Sequence, residues 1–538
     1  MAENTLKWQK WAWAGGIIFA SVGIYLRFYH ITASDFIFYD EGYYLNFNRG
    51  FVEFAGQYRF QNIQDWLQGF YTCLRLSLPT GKALWFFLID SRAFWGWGEV
   101  WFFPRLVAAI AGSLTLGMVF LFARRFYNSS WVAYVSVILL AVMPSHVFYS
   151  RLAMQETLST LFFLGGFYLY LFPDRLNVRT FLSALVLVGA YFTNYRLIVL
   201  PVLVLVTEVF MGVSQKRIPN YRKYLWHVLT FFSLVFLIGS IDRGQNLNVT
   251  FSWMGHQAQL GKEQFQAFNL WSYPYYIFKL ESIPFGLLFF GNMYYFFRKQ
   301  TFYLYPLVLV VFQMLIFSFA QDKAARYLCV VMPFMVMAAS SLIVFLFEEN
   351  KNVVLRTAVS LVFLWTLSAF TLKSIAFAGF QSAYRPVMEV LSKADADVKV
   401  ASSQPWVQNL YVKNKKNVVE CPKEYPLFFD LQRSGFKYLV IDPQAYISFT
   451  DDGRKFSQLL TGYLRFITTN IKPIKVLSHF NRPVLERFVF EHNENLKRSL
   501  DFLNTPDASL GQLKIYDMAQ CTAIINKWLA ASHQAVNP

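Results

Sequence analysis

The sequence has 538 residues, of which 56% are hydrophobic, 19% aromatic and only 15% charged, and its mean hydropathy is +0.34. Soluble globular proteins typically contain about 25% charged residues, so this composition excludes a wholly soluble protein. The formal charge is +17. Most of the basic excess lies among the apolar runs, where membrane topology and phospholipid explain it better than nucleic acid does. We therefore expect membrane lipid as a partner and no nucleic acid.

Apolar runs long enough to cross a bilayer, which takes about 20 residues, predict about eleven spans. They lie at roughly 11–31, 104–123, 131–149, 157–173, 180–193, 197–213, 224–241, 279–297, 302–320, 327–347 and 354–376. The first run has no small-residue cleavage site, so we interpret it as an uncleaved helix. Thr193–Arg196 interrupts the run from 180 to 213, and a single helix of that length would overshoot the membrane core at about 1.5 Å per residue.

The short connections between the predicted spans alternate in charge. With the N-terminus inside, every inner connection carries Lys or Arg, as the positive-inside rule requires. The same alternation places the following segments on the outer side: 32–103, 150–156, 194–196, 242–278, 321–326 and the C-terminal region. The sequence thus predicts a cytoplasmic N-terminus and an extracytoplasmic C-terminus.

From residue 378 onward the charges are evenly spaced and the apolar runs are short. Strands are predicted at Val398–Ala401, Tyr438–Ile441, Ile474–Leu477 and Leu513–Tyr516, with helices between them such as Tyr384–Ser392 and Arg454–Phe466. Alternating strands and helices favour an α/β domain. The predicted fold is therefore a polytopic α-helical membrane protein, residues 1–377, followed by a soluble extracytoplasmic α/β domain, residues 378–538.

The four cysteines indicate neither a metal site nor a disulfide framework, because their spacing shows no pairing. They are Cys73, Cys329, Cys421 and Cys521. The first outer loop contains one acidic pair, Asp40 and Glu41, flanked by aromatic residues. Since no second carboxylate cluster accompanies it, we expect no cofactor and do not favour a divalent metal.

Charged residues gather at the outer ends of several predicted spans. Besides the acidic pair, they are Lys82, Arg105, Arg151, Glu156, Arg196, Lys323 and Arg326. Each has an ordinary interpretation as a helix cap, a snorkelling anchor or an interfacial ion pair, and His146 is expected to be a packed interfacial side chain. Arg196 is harder to explain in this way because ionisable residues that interrupt a span are costly and usually functional.

Together these residues predict a site that binds an anionic group beside a carboxylate. Lys and Arg bind phosphate through charge-assisted hydrogen bonds, and a carboxylate there could accept a proton from an attacking hydroxyl or amine. If the phosphate is the leaving group, the cations stabilise its growing charge. This chemistry is group transfer from a membrane-embedded phosphate donor.

Four motifs occur in order along residues 1–377. They are Asp40-Glu41-Gly-Tyr-Tyr; Phe103-Pro-Arg105-Leu-Val with Leu121-Phe-Ala-Arg-Arg-Phe-Tyr127; Met143-Pro-Ser-His-Val-Phe-Tyr-Ser-Arg151-Leu-Ala-Met-Gln-Glu156; and Lys323-Ala-Ala-Arg326-Tyr327 followed by Pro333. With them the chain resembles the GT-C superfamily of polyprenyl-phosphate-sugar-dependent glycosyltransferases, in the branch of protein O-mannosyltransferases and lipid A aminoarabinose transferases.

The resemblance implies roles for individual residues. Asp40 would be the catalytic base or would orient the acceptor, with Glu41 supporting it. Lys82 would contact the donor phosphate, although Gly81-Lys82-Ala83-Leu84 lacks the two prolines usual in that branch. The remaining predicted substrate-binding residues are Arg105, Arg151, Glu156, Lys323, Arg326, Tyr327 and Arg196, which would replace a lysine that many relatives have at the position of Asn194.

The implied reaction is the inverting transfer of a hexose or pentose from a polyprenyl-phosphate donor to an extracytoplasmic protein, lipid or cell-envelope glycan. The branch implies a bacterial inner membrane. Two alternatives stay open: a transporter or lipid flippase, whose charges would lie nearer the membrane midplane in repeated halves, and a noncatalytic scaffold. Replacing Asp40 with Asn separates catalysis from scaffolding, because only a transferase loses its function.

Overall fold

The computed structural model describes most of the chain. The described residues are 2–31, 39–55, 62–92, 103–172, 178–263, 270–320, 323–349, 352–394, 397–412, 414–422, 425–442, 466–491, 496–504 and 511–536. The chain forms two compact units. The helical unit comprises Met1–Thr32 and Asn48–Gly379, and the sheet unit comprises Ala33–Phe47 and Phe380–Pro538.

Helices dominate the first 379 residues. They are α1 Ala2–Phe28, α2 Tyr39–Ala55, α3 Ile63–Ser77, α4 Ala83–Ser91, α5 Phe103–Tyr127, α6 Ser130–Ala141, α7 Pro144–Tyr149, α8 Glu156–Leu171, α9 Val178–Thr193, α10 Leu200–Ser214, α11 Tyr221–Gly239, α12 Gln245–Glu263, α13 Ser272–Tyr276, α14 Ile283–Gly291, α15 Tyr294–Phe297, α16 Tyr305–Ser318, α17 Met332–Glu349 and α18 Val353–Ala378. Within the helical unit, α8 packs against α5 and α9, and α9 packs against α11.

Among the described residues, six helical stretches are long and apolar enough to cross a membrane. They are Phe103–Tyr127, Tyr195–Ser214, Tyr221–Asp242, Thr301–Ser318, Ala325–Glu349 and Val353–Ala378. Shorter apolar helices are Ala14–Phe28, Ser130–Ala141, Val178–Thr193 and Ile283–Phe297. These stretches, together with α8, overlap the predicted spans, but a count of about eleven membrane crossings stays a prediction.

Two turns in the helical unit are joined through their backbones. In the first, a 3₁₀ turn at Leu78–Thr80 ends at Gly81, whose φ is +71°. In the second, Asn194 caps the 3₁₀ turn Tyr195–Val199 by accepting a hydrogen bond from the Arg196 N–H. The Tyr195 N–H donates to the Gly81 carbonyl at 3.0 Å. This bond places Lys82, at the start of α4, beside the break between α9 and α10.

The sheet unit contains a five-stranded mixed sheet in the order β2-β1-β3-β5-β4. The strands are β1 Val400–Ser402, β2 Val418–Glu420, β3 Tyr438–Ile441, β4 Lys475–Ser478 and β5 Gln512–Asp517. β1 pairs in parallel with β2 and β3, whereas β5 is antiparallel to β3 and β4. The side chains of Phe428, Leu439 and Tyr516 lie in its buried core.

Helices lie between and after the strands along the chain. They are α19 Tyr384–Ala394, α20 Pro405–Gln408, α21 Tyr425–Arg433, α22 Arg482–Glu491, α23 Leu496–Asn504 and α24 Met518–Val536. The four predicted strands overlap β1, β3, β4 and β5, while the short β2 was not predicted. The helix predicted at Arg454–Phe466 lies outside the described residues except for its last residue. That residues 378–538 form a separate extracytoplasmic domain stays a prediction.

Candidate active site

The helical unit contains a buried carboxylate surrounded by cations. Glu156 is the first residue of α8 and is 2% exposed. The Gln155 Nε2 donates to its Oε1 at 3.2 Å, and its Oε2 has no hydrogen-bond partner among the described residues. Arg326, Arg196 and Lys82 all interact electrostatically with the carboxylate. The structure thus brings together four predicted site residues that are far apart in the sequence.

Aromatic rings hold the guanidinium of Arg196 in this cluster. It lies 4.8 Å from the ring centroid of Tyr327, 5.5 Å from that of Tyr195 and 5.8 Å from that of Trp253. The Lys82 Nζ lies 5.9 Å from the same Tyr195 ring. Cation–π contacts of this kind stabilise a positive charge away from bulk water. They allow two cations to stay close to each other.

Arg326 and Tyr327 reach the cluster from a 3₁₀ turn, Ala325–Val331, that leads into α17. The turn packs against α8, where the Thr160 hydroxyl lies 3.5 Å from the Sγ of Cys329. Tyr327 is buried against Phe317, with 4.8 Å between ring centroids. Tyr327, which the sequence predicts to bind substrate, therefore lies beside Arg196 in a well-packed position.

The cluster suits an anionic ligand. Among Lys82, Glu156, Arg196 and Arg326 alone, three cations and one carboxylate sum to a formal charge of +2 when Glu156 is ionised and +3 when it is protonated. Lys82, Arg196 and Arg326 are each only partly buried. Lys and Arg bind phosphate through charge-assisted hydrogen bonds, so these side chains are chemically suited to a phosphate. We name Lys82, Glu156, Arg196, Arg326 and Tyr327 the outer cluster, after the side of the membrane on which the sequence predicts these residues.

Two other predicted site residues, Arg151 and Arg105, have a different environment. The Arg151 guanidinium donates to the carbonyls of Leu26 at 2.6 Å, Tyr29 at 2.7 Å and Ala378 at 2.8 Å. These bonds join the ends of α1 and α18. Arg105 is buried and close enough to interact electrostatically with Arg151. The contacts of Arg151 are therefore structural, and substrate binding by this pair stays a prediction.

The Lys323 side chain also donates a hydrogen bond to the protein backbone. Its Nζ donates to the Ala320 carbonyl at 2.7 Å, and its own carbonyl accepts a hydrogen bond from the Tyr276 hydroxyl at 3.0 Å. The side chain is 5% exposed. These bonds fix the start of the segment that carries Arg326, and direct phosphate binding by Lys323 stays a prediction.

Asp40 and Glu41 lie in the first turn of α2, within the sheet unit. Carboxylates at this position interact favourably with the positive end of the helix dipole. Glu41 is fully buried. One turn on, the Asn46 side chain donates to the Trp406 carbonyl, and the Tyr43 ring packs edge-on against Trp406. Their catalytic and supporting roles stay predictions.

Three buried polar groups in the helical unit were not predicted as site residues. Arg27 donates to the Gly23 carbonyl at 2.6 Å and lies 2.7 Å from the Nδ1 of His146. The carboxylate of Glu281 accepts hydrogen bonds from Ser145. Asp90 is buried with Asn48 and Arg92. An arginine inside the first predicted span was a signal for the first of these groups, whereas the other two depend on contacts between distant segments.

Metal binding receives no support from the described residues. Among them, no group of three His, Cys, Asp or Glu side chains is arranged to hold an ion. The absence of a metal in the reaction stays a prediction.

Residues 97–239 match the family model of the dolichyl-phosphate-mannose-protein mannosyltransferases. The fold is similar to that of the oligosaccharyltransferase of Archaeoglobus fulgidus in the apo form, with a TM-score of 0.52 at 10% identity over 81% of this chain and 70% of that one. The predicted resemblance to the GT-C superfamily of membrane glycosyltransferases is confirmed. No curated protein sequence matches the chain.

Two further solved structures share the GT-C fold of this chain. One is ArnT from Cupriavidus metallidurans in the apo state, with a TM-score of 0.50 at 13% identity over 81% of this chain and 94% of that one. The other is the archaeal oligosaccharyltransferase AglB from Archaeoglobus fulgidus, with a TM-score of 0.51 at 9% identity over 81% of this chain and 70% of that one. The apolar helices and this fold make the chain an integral membrane protein.

Proposed function

We propose that the protein is a glycosyltransferase that moves a hexose or pentose from a polyprenyl-phosphate donor to an extracytoplasmic protein, lipid or cell-envelope glycan. The observation that carries the proposal is the outer cluster, in which three cations converge on Glu156. The mannosyltransferase family model supports it. The AglB structure was determined with an inhibitory peptide and a dolichol-phosphate, which is consistent with a lipid-linked donor.

In the proposed reaction the acceptor oxygen or nitrogen forms a bond to the anomeric carbon, while the bond between that carbon and the phosphate oxygen breaks. The bonding electrons leave with the polyprenyl phosphate, and the configuration inverts. The donor phosphodiester carries one negative charge, whereas the departing monoester carries about −1.5 to −2 near neutral pH. The cations of the outer cluster therefore bind the product-like transition state more strongly than the donor.

The remaining roles follow from the sequence resemblance. Asp40 removes the proton from the attacking hydroxyl or amine of the acceptor substrate, and Glu41 supports Asp40. Arg105, Arg151 and Lys323 complete the substrate site. We also propose a bacterial inner membrane, a cytoplasmic N-terminus and an outer side that carries both the first loop and residues 378–538. Basic inner connections support this orientation.

The reaction is tested by measuring the release of free polyprenyl phosphate. Purified protein in lipid receives a panel of polyprenyl-phosphate sugars together with crude cell-envelope acceptor. Because loss of a general base typically lowers a rate by about 10²–10⁴-fold, Asp40→Asn should lose nearly all release while keeping the wild-type Tm.

The matched control is Asp65→Asn, which makes the same change in the first turn of α3, in the same predicted loop, where the Asp65 carboxylate accepts a hydrogen bond from the Asn62 N–H. It should release product at the wild-type rate. Full activity in Asp40→Asn would remove Asp40 from catalysis. No release from any donor by a folded wild-type protein would contradict the proposed function.

A further inference from the structure

A cavity of about 500 Å³ lies at the N-terminal ends of α9 and α11, away from the outer cluster at the other end of α9. Side chains that line it are Thr180, Phe181, Asn220, Arg222, Lys223 and Trp226. The two helices pack together, and the Ser183 hydroxyl lies 3.1 Å from the Nε2 of His227. Neither the proposed reaction nor the motifs account for this cavity.

The electrostatics of the cavity favour an anion. Two helix N-termini meet here, each contributing a partial positive charge, and neither helix has an acidic residue in its first turn. Arg222 and Lys223 add two full positive charges. The Lys223 Nζ donates to the Tyr170 carbonyl at 2.6 Å and lies 3.7 Å from the centroid of the Tyr170 ring.

The carboxylate beside Lys223 is already satisfied. Glu208 accepts hydrogen bonds from the Tyr170 hydroxyl at 3.0 Å, from Arg217 at 3.0 Å and from the Asn220 N–H at 2.7 Å. Its oxygen lies 4.0 Å from the Lys223 Nζ, beyond hydrogen-bond distance. Glu208 therefore holds the loop before α11 in place, and its single negative charge leaves an excess of positive charge among Arg217, Arg222 and Lys223 when only the described residues are counted.

Thr180 supplies an independent sign of a ligand. Its side chain lines the cavity and is 6% exposed, yet its hydroxyl has no hydrogen-bond partner among the described residues. Buried hydroxyls without a partner are uncommon and cost free energy. Rotation about χ1 would turn this hydroxyl, whose oxygen is itself buried, toward a ligand oxygen in the cavity, which would accept the hydrogen bond.

The rim of the cavity is apolar and aromatic. Trp226 is 63% exposed and Phe181 is 51% exposed, and both lie within a turn or two of the start of apolar membrane helices. Exposed aromatic side chains at this depth are typical of the lipid–water interface. Such a rim suits the glycerol and acyl part of a lipid, which a free ion lacks. The positive-inside pattern predicts that this end of α9 and α11 faces the cytoplasm.

We propose that this cavity binds the phosphate head group of an anionic glycerophospholipid. Arg222, Lys223 and the Thr180 hydroxyl bind the phosphate, and Trp226 and Phe181 contact the lipid backbone. Basic pockets between membrane helices on the cytoplasmic side commonly bind anionic head groups. The site does not depend on the proposed transferase activity.

The test is native mass spectrometry of the full-length protein released from micelles that contain phosphatidylglycerol or phosphatidylcholine with identical acyl chains. The wild type should retain phosphatidylglycerol preferentially. Arg222→Gln should weaken its binding about tenfold and Thr180→Val roughly threefold, since one removes a charge-assisted hydrogen bond and the other a neutral one. Arg356→Gln, which removes a positive charge near the start of α18, is the matched control and should bind like wild type.

Equal retention of the two lipids by the wild type would overturn the proposal, as would unchanged phosphatidylglycerol binding in both cavity variants. Inorganic phosphate is the third arm. If it binds as tightly as phosphatidylglycerol, the cavity is a site for free phosphate and the lipid assignment is wrong.

Discussion

Two buried glutamates lie near opposite ends of α8, separated by about 20 Å of helix at 1.5 Å per residue. Glu156 begins the helix, and Glu208 accepts a hydrogen bond from Tyr170 near its last residue. Each is 2% exposed, and each has arginine and lysine nearby. They differ in their hydrogen bonds. Both oxygens of Glu208 accept them, whereas Oε2 of Glu156 has no partner among the described residues.

This difference separates a structural charge from a candidate functional one. Breaking a fully hydrogen-bonded buried ion pair destabilises a protein because it leaves uncompensated charge. A buried carboxylate that lies among cations but has an oxygen without a hydrogen bond adds little to the free energy of unfolding. The neighbouring cations can instead bind a ligand. We therefore expect the Glu208 cluster, which is Glu208 with Tyr170, Arg217, Asn220 and Lys223, to stabilise the fold and the outer cluster to bind the donor.

Asp90 is another buried carboxylate, and like Glu156 it has one oxygen with no hydrogen-bond partner among the described residues. Burial raises its pKa to about 7, although the Asn48 hydrogen bond and the Arg92 charge lower it. The unfolded value is about 3.9, so the folded state binds the proton more tightly. Stability should therefore fall by as much as about 4 kcal/mol as the pH rises from about 4 to about 7.

The measurement is the free energy of unfolding in mild detergent across this pH range. Asp90→Asn should flatten the pH dependence between pH 4 and 7. An unchanged pH profile in Asp90→Asn would show that this carboxyl does not titrate in that window.

Paired substitutions at the two glutamates test the comparison itself. Glu208→Gln loses charge-assisted bonds to Arg217 and the Asn220 N–H, so it should lower the free energy of unfolding by about 3 kcal/mol. Glu156→Gln should leave stability close to wild type. Chemical denaturation of both variants in the same detergent provides the measurement. Equal destabilisation by the two substitutions would make Glu156 a structural residue as well.

A substitution at Gly81, in the turn before Lys82, should have a smaller effect on stability. An added Cβ there would lie 2.7 Å from the Tyr195 ring, and the φ of +71° disfavours side chains. Gly81→Ala should therefore cost about 1–2 kcal/mol and displace Lys82 and Tyr195. Gly50→Ala, where nothing lies within 4 Å of the added atom, is the control. If Gly81→Ala matches it in both Tm and donor affinity, the turn does not position the cluster.

The sequence was informative where charge interrupts apolar runs. Arg196 and Glu156 were identified because they stand at the ends of predicted spans, and the break at Asn194 was visible as a polar interruption. The contacts of Arg151 with carbonyls from α1 and α18 could not be predicted, since they depend on how distant helix ends pack. Glu208 was missed for the same reason: its partners come from α8 and from the loop before α11.

We propose that the outer cluster, and not the Glu208 cluster, binds the donor phosphate. The direct measurement is the affinity of a polyprenyl-phosphate sugar for the wild type, Arg326→Gln and Arg217→Gln. Loss of one charge-assisted hydrogen bond should weaken binding to Arg326→Gln by about 1.5–3 kcal/mol, and Arg217→Gln should bind like wild type. Unchanged affinity in Arg326→Gln, or equal losses in both variants, would contradict the account.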